Sequence, residues 1–488
     1  MRKAGILLHV SSLPNPYGIG TLGKEAYRWI DFLKKGGQTY WQMLPINPTS
    51  YGDSPYQSPS VFAGNPYLIS MEDLVERGFL TEADLKSLEG QDPKRVDYGR
   101  LFSTKMPLLE KAYFNHHLEE EAFRTFVAEN QFWLEDYALF MALKKEHDHK
   151  PFIEWYDDFK FKVPHAIDWF KQQYGQLIDQ YRFMQYLFYS QFIRLKEYAH
   201  RKKIKLIGDM PIYCAYDSCD VWSHPEYFEV DDCYRQIHVA GCPPDAFTED
   251  GQLWGNPLYR YDVMKKDGYT WWIERINQMG KLFDVVRIDH FRGFAGYYSI
   301  QAGSSNAKNG QWIEGPGYDL FKAVKKASNV DIIAENLGFL TPDVEKLLRQ
   351  CGYPGMHIFQ FELGDGKKVP LKKGFKENNV IYSGTHDNQT IMSFYKGLDE
   401  KTKKLVDTLC HITFTDRPNL KIIETCMQQA CKDCIIPLQD YLGLTDEEGR
   451  MNIPSVASGN WSYRALESDF SKELAAYLKQ ITTQYERL

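Results

Sequence analysis

Eight short apolar runs, each ending in polar or charged residues, constrain what this chain can fold into more than any other feature. Strands of a parallel sheet are covered on both faces and so read as near-continuous apolar segments. The runs are GILLHV (5–10), YWQMLPI (40–46), KLIGDMPI (205–212), FDVVRID (283–289), DIIAEN (331–336), MHIFQFE (356–362), VIYSGTHD (380–387) and MNIPSV (451–456). Helical spacing falls between them, as at Ala26 to Lys35, Phe183 to Ile193 and Tyr269 to Leu282. Strands alternating with helices predict an α/β fold, a closed (β/α)8 TIM barrel with its chemistry at the C-terminal strand ends.

The 488 residues fit one such barrel if insertions are allowed. Three spans are too long for ordinary connections. Residues 63–175 predict a mainly helical insertion after the second strand, 213–268 an aromatic, Gly- and Pro-rich substrate loop after the third, and 391–450 a helical insertion after the seventh.

Composition excludes several classes of function. A net charge of -7 without long runs of one sign offers nucleic acid no basic track. No stretch approaches the roughly 20 apolar residues of a membrane span. The N-terminal apolar run, Gly5 to Val10, is short and lacks a cleavage site, so it reads as a first strand. Nine scattered cysteines make no disulfide framework and suit a reducing, cytoplasmic compartment. No protein partner is indicated.

Three strands deliver acids. Arg287 and Asp289 stand two apart at the end of FDVVRID, so they share a face. A guanidinium there orients a carboxylate for nucleophilic work. DIIAEN delivers Glu335, where burial and neighbouring anions would raise its pKa toward that of a general acid. VIYSGTHD ends in His386 and Asp387, with Gly384 permitting close approach of a ligand. Each motif alone is compatible with a structural ion pair or a solvated charge. Three acids at one barrel mouth repel one another and point to function. Two carboxylates flanking a glycosidic bond can perform retaining chemistry, one attacking the anomeric carbon and the other protonating the leaving oxygen, with no metal or cofactor.

These strand ends resemble the four characteristic regions of the α-amylase superfamily. SPYQSPSVFAGNPYLI (54–69), IGDMPIYCAYDSCDVW (207–222), PPDAFTEDGQLWGNPLY (243–259), VRIDHFRG, AENLG, GTHDN and RMNIPSVASGNWSYR (450–464) narrow the resemblance to family 77, the 4-α-glucanotransferases. The resemblance implies Asp289 as nucleophile, Glu335 as acid and base, and Asp387 as transition-state stabiliser. It implies that Arg287 orients Asp289, that His386 contacts the same sugar, and that Asp209 binds substrate or supports Arg287. Tyr56 and Ser58 match donor-sugar contacts, Trp254, Gly255 and Asn256 match a loop covering the cleft, and Asn460 in the closing motif is expected to bind substrate. The expected substrates are maltooligosaccharides and α-1,4-glucans, and no C-terminal β-sandwich is expected. Asn336 departs from the family's usual Asp, and Ser455 stands where Gly is usual.

The carboxylates do not distinguish transfer from hydrolysis; only the resemblance favours transfer. An α-glucan hydrolase on the same barrel and a silent glucan-binding protein are the alternatives. Gly18, Gly20 and Gly23 spell G-x-G-x-x-G, but SSLPNPY separates them from the strand end, which argues against a dinucleotide site. Cys431 and Cys434 lie in sequence of helical pattern without a second pair, and the histidines at 116, 117, 147 and 149 read as a solvated face.

Overall fold

The apolar runs become strands because their alternate residues face either the barrel interior or the covering helices. In the computed structural model, which describes residues 2–244, 249–338, 341–362 and 377–488, one parallel sheet has eight strands. They are β1 (Lys3–Leu7), β2 (Tyr40–Gln42), β3 (Lys205–Met210), β6 (Val285–Ile288), β9 (Asp331–Ala334), β10 (Gly355–Ile358), β11 (Asn379–Tyr382) and β12 (Asp433–Pro437). The hydrogen-bonded order is β10-β11-β12-β1-β2-β3-β6-β9. The Ala334 N–H donates to the Pro354 carbonyl at 2.9 Å, which brings β9 to the start of β10 and rounds the sheet into a (β/α)8 TIM barrel.

The eighth strand is not the expected MNIPSV. It is DCIIP, residues 433–437, paired with β1 on one side and β11 on the other. Ile435 and Ile436 are fully buried there, whereas Ile453 and Val456 are exposed and Pro454 removes a ladder donor. The span 391–450 is therefore not one helical insertion. It holds helices at Ile391–Gly397, Glu400–Cys410 and Pro418–Gln428, and then the barrel strand carrying Cys434. Cys431 and Cys434 are buried free thiols, one just before this strand and one in it, rather than in a helix.

Between β2 and β3 the chain is mainly helical. Helices Glu120–Glu146 and Gly175–Arg201 pack together through rings such as Trp133 and Tyr189, 5.7 Å apart. A third helix, Tyr98–Tyr113, buries Lys105, whose Nζ donates to the Tyr67 and Ile69 carbonyls at 2.7 Å each. That clamp pins the helical layer to the loop after β2.

A second sheet, not foreseen from the sequence, has the antiparallel order β5-β4-β7-β8: β4 (His238–Cys242), β5 (Gln252–Pro257), β7 (Gly296–Gln301) and β8 (Gln311–Glu314). It joins the segment after β3 to the segment after β6. Residues 245–248 of the PPDAFTEDGQLWGNPLY motif lie outside the described residues. Among the described residues, no helix is long and apolar enough to cross a membrane.

Candidate active site

Strand register brings the first charges together. Asp209 on β3 is the direct partner of Arg287 on β6, and Asp289 follows one residue beyond that strand. The ladder continues past the strands, with Asp289 N–H donating to Met210 and Glu335 N–H donating to Ile288, both at 3.0 Å. The acids are thus fixed by sheet geometry rather than by free loops.

Arg287 is buried at the centre. Its Nη1 donates to both oxygens of Asp209, at 2.6 and 2.8 Å, and its Nη2 lies 2.9 Å from Asp289 Oδ1. The Tyr56 hydroxyl donates to Asp209 Oδ2 at 2.7 Å. Both oxygens of Asp209 are therefore engaged beneath the mouth. Burial pushes its carboxyl pKa up, and the Arg287 charge opposes this. Of the two roles the resemblance allowed Asp209, this geometry fits support of Arg287.

Glu335 follows β9 directly and is only 8% exposed. Its Oε2 accepts the His290 N–H at 2.7 Å and its Oε1 the Leu337 N–H at 2.5 Å. Burial, and then the Asp289 charge, push its pKa up to about 7, against the lowering effect of Arg287 and the two amides. Adjacent Asn336 turns away, its Oδ1 accepting the Met356 N–H at 2.7 Å, so it ties β9 to β10.

Asp387 lies on the turn after β11, its side chain 45% exposed against 29% for Asp289. Asn452 Nδ2 donates to its Oδ1 at 2.6 Å, and His386 Nε2 lies 3.3 Å from its Oδ2. The His386 ring stacks on Tyr56 at 5.2 Å, and Trp461 packs against Tyr56 at 5.6 Å and His386 at 5.9 Å. This aromatic wall connects the Asp209 side of the mouth to the Asp387 side.

The remaining expected residues divide. Trp254, on β5, packs against Tyr213 at 6.2 Å and edge-on against the His290 ring at 4.8 Å, so it reaches the catalytic turn. Gly255 has φ +76, a conformation that favours glycine there. Asn256 is buried, accepts from Gln57 Nε2 at 3.3 Å and donates to the Cys214 carbonyl at 2.7 Å, which links it to the Tyr56 loop. Ser58 is buried with its hydroxyl donating to the Ser60 carbonyl at 2.9 Å. Asn460 spends its amide on backbone: it accepts from Ile453 N–H and donates to the Ile453 and Val456 carbonyls. Asn460 therefore shapes the closing loop.

Four contributors were missed. Asn452 sits in the closing motif, whose resemblance is the signal that points to it, and Arg450 of the same motif donates to the Asp387 carbonyl at 2.9 Å. His290 directly follows Asp289, but its contribution is a backbone N–H in a left-handed conformation, φ 49, which no side-chain motif signals. Arg275 is buried under the loop after β3, its Nη1 donating to Ile212 at 3.0 Å and its Nη2 to Pro211, and its helical position carried no functional signal.

The family model described as 4-alpha-glucanotransferase matches residues 8–468. A 4-alpha-glucanotransferase of Clostridium butyricum is 42% identical, over 98% of this chain and 100% of its own length. One of Thermus thermophilus is also 42% identical, over 100% and 99%. Among solved structures, an amylomaltase from Streptococcus agalactiae in complex with acarbose superposes with a TM-score of 0.96 at 39% identity, covering 100% of both chains.

Proposed function

This chain belongs to the 4-alpha-glucanotransferase family, and on that premise we propose how its strand-end acids carry out the reaction. It is a glucan-processing enzyme, a 4-alpha-glucanotransferase of the amylomaltase type. Asp289 attacks the anomeric carbon of an α-1,4-linked glucose as Glu335 protonates the departing O4, so the glycosidic bond breaks and a glucosyl ester forms. The 4-hydroxyl of an acceptor sugar then attacks that carbon. It yields its proton to Glu335, the ester bond breaks, and Asp289 is released with the α configuration retained.

The observation that carries this reading is Glu335, a buried carboxyl with a pKa near 7 beside the Arg287–Asp289 pair. Such an acid still holds its proton near neutrality and returns as a base once the leaving group has gone. Arg287 fixes the attacking carboxylate through Asp289 Oδ1. Asp387, held by Asn452 and more exposed than the other two acids, is placed to take hydroxyls of the reacting sugar, with His386 beside it. Tyr56, Ser58 and Asn256 build the loop wall on the Asp209 side, and Asn460 holds the closing loop. Trp254 and Gly255 cover the catalytic turn, which favours a sugar hydroxyl over water as the second nucleophile.

Maltooligosaccharides and longer α-1,4-glucans are the proposed donors and acceptors. Residues 63–175 and 213–268 serve as insertions that wall the cleft. The cytoplasm is the proposed compartment, supported by nine scattered cysteines that make no disulfide framework.

Incubation with maltotriose tests the reading, with the product ladder and the total reducing ends followed together. Longer chains plus glucose at constant reducing ends are expected. Rising reducing ends without longer chains would instead make the protein a hydrolase, and no change would leave it a binding protein.

A further inference from the structure

Arg275 is buried beneath the loop after β3 and touches none of the three acids. It projects from the helix Thr270–Leu282 and is 2% exposed. Among the described residues it forms no ion pair, although the buried Asp220 carboxyl feels its charge. A buried cation without a carboxylate is costly, and an apolar side chain would fill the same space more favourably. What a guanidinium adds is a rigid fork of donors. Here the fork takes two consecutive carbonyls, Nη1 donating to Ile212 at 3.0 Å and Nη2 to Pro211. The rings of Trp271 and Trp272, centred 5.4 and 5.2 Å away, hold the charge in place.

These carbonyls open the loop just beyond Met210, the last residue of β3. The Tyr259 hydroxyl donates to the same Ile212 carbonyl at 2.7 Å, and its ring stacks on Tyr213 at 6.0 Å. Tyr213 in turn meets Trp254 at 6.2 Å. The loop also reaches the catalytic turn directly. A Cβ on Gly293 would meet Ile212 Cδ1 at 2.8 Å, His290 Cδ2 at 3.2 Å and the Tyr213 hydroxyl at 3.5 Å, so three side chains close on this one bare residue. Trp254 packs edge-on against the same His290 ring. Arg275 therefore anchors a run of contacts, through Ile212 and Tyr213 to Trp254 and His290, that ends at the turn whose N–H holds Glu335.

We propose that Arg275 is a positioning residue for the second half-reaction: by clamping the Pro211 and Ile212 carbonyls it seats Tyr213 and Trp254 over the catalytic turn, and so sets the share of glucosyl ester that passes to a sugar rather than to water. The proposal rests on the reading that Trp254 covers this turn. Water attacking in place of the 4-hydroxyl gives its proton to Glu335 in the same way, the ester bond breaks, and a new reducing end is released. A loop freed from its clamp lets Trp254 drift from His290 and admits that water.

The test follows initial rates on maltotriose and takes the ratio of new reducing ends to glucose released. Transfer adds no reducing end, whereas hydrolysis adds one with each glucose. Arg275→Met is expected to raise this ratio about threefold to tenfold, the worth of a hydrogen bond. Arg275→Lys, which keeps the charge and a donor for the carbonyls, should restore most of the parent's ratio. Tyr259→Phe removes the second donor to Ile212 but keeps the ring; it should raise the ratio by a smaller factor, and it decides the matter if Arg275→Met does not fold. A folded Arg275→Met that is slower yet keeps the parent's ratio makes Arg275 a residue of the fold only and overturns the proposal, as does an unchanged ratio in Tyr259→Phe when Arg275→Met does not fold. Trp254→Ala separates the two levels. If it raises the ratio while the Arg275 variants do not, Arg275 alone is refuted; if it leaves the ratio unchanged, the covering role of Trp254 falls and the proposal with it.

Discussion

The backbone N–H of His290 donates to Glu335 Oε2 at 2.7 Å from a residue held at φ 49. The residue after the proposed nucleophile thus fixes the proposed acid, so the two carboxylates share one turn of chain. Left-handed backbone in a non-glycine residue costs about 1–2 kcal/mol, and persists where the surroundings over-determine it. Burial of the His290 ring against Trp254 supplies that constraint, and pushes its own pKa down to about 4.

The pH dependence of turnover follows from Glu335. Its carboxyl must carry a proton to act as the acid, and its pKa is about 7. The rate at low substrate, kcat/KM, is expected to fall about tenfold per pH unit above that value. A profile on maltotriose that stays flat from pH 6 to about 9 contradicts the assignment.

Stability should move with the same group. Because the folded pKa lies above the ordinary 4.5, the native state binds more protons than the unfolded chain between these values, and stability declines as pH rises through that window. Glu335→Gln removes the buried charge. By about pH 8 it should exceed the parent by something on the order of 3 kcal/mol more than it does near pH 4, as read by urea unfolding at the two pH values.

Asp209→Ala leaves Arg287 buried without its two-oxygen partner. Loss of one member of a buried pair costs about 3–5 kcal/mol, so a marked drop in the denaturation midpoint is expected. Unchanged stability would show that Asp289 alone holds Arg287.

Asn452→Ala should lower kcat/KM about 10–100-fold, since a hydrogen bond to a charged acceptor is worth about 1.5–3 kcal/mol and this one orients Asp387. The melting temperature should stay close to that of the parent. Parallel losses in both would make Asn452 a structural residue only.

Ser455 sits at φ 68 in the closing loop, where glycine is the unstrained choice. Ser455→Gly is expected to stabilise the fold by about 1 kcal/mol. Thermal unfolding measures it, and a loss of stability would mean that the serine side chain makes up for its strain.

The sequence by itself determined the barrel and its three acids. A strand buried on both faces must be apolar along its length, and an acid at its end is visible within a few residues, as in DIIAEN and FDVVRID. Those signals are local. Tertiary structure alone decided which segment closes the barrel: DCIIP follows residues of helical pattern, and only pairing with β1, over 400 residues earlier, makes it a strand. It also decided the second sheet, the placement of Asp209 under Arg287 and the donation from His290 to Glu335. Each depends on partners brought together across long stretches of chain, and a hydrogen bond between distant segments leaves no periodicity in either one.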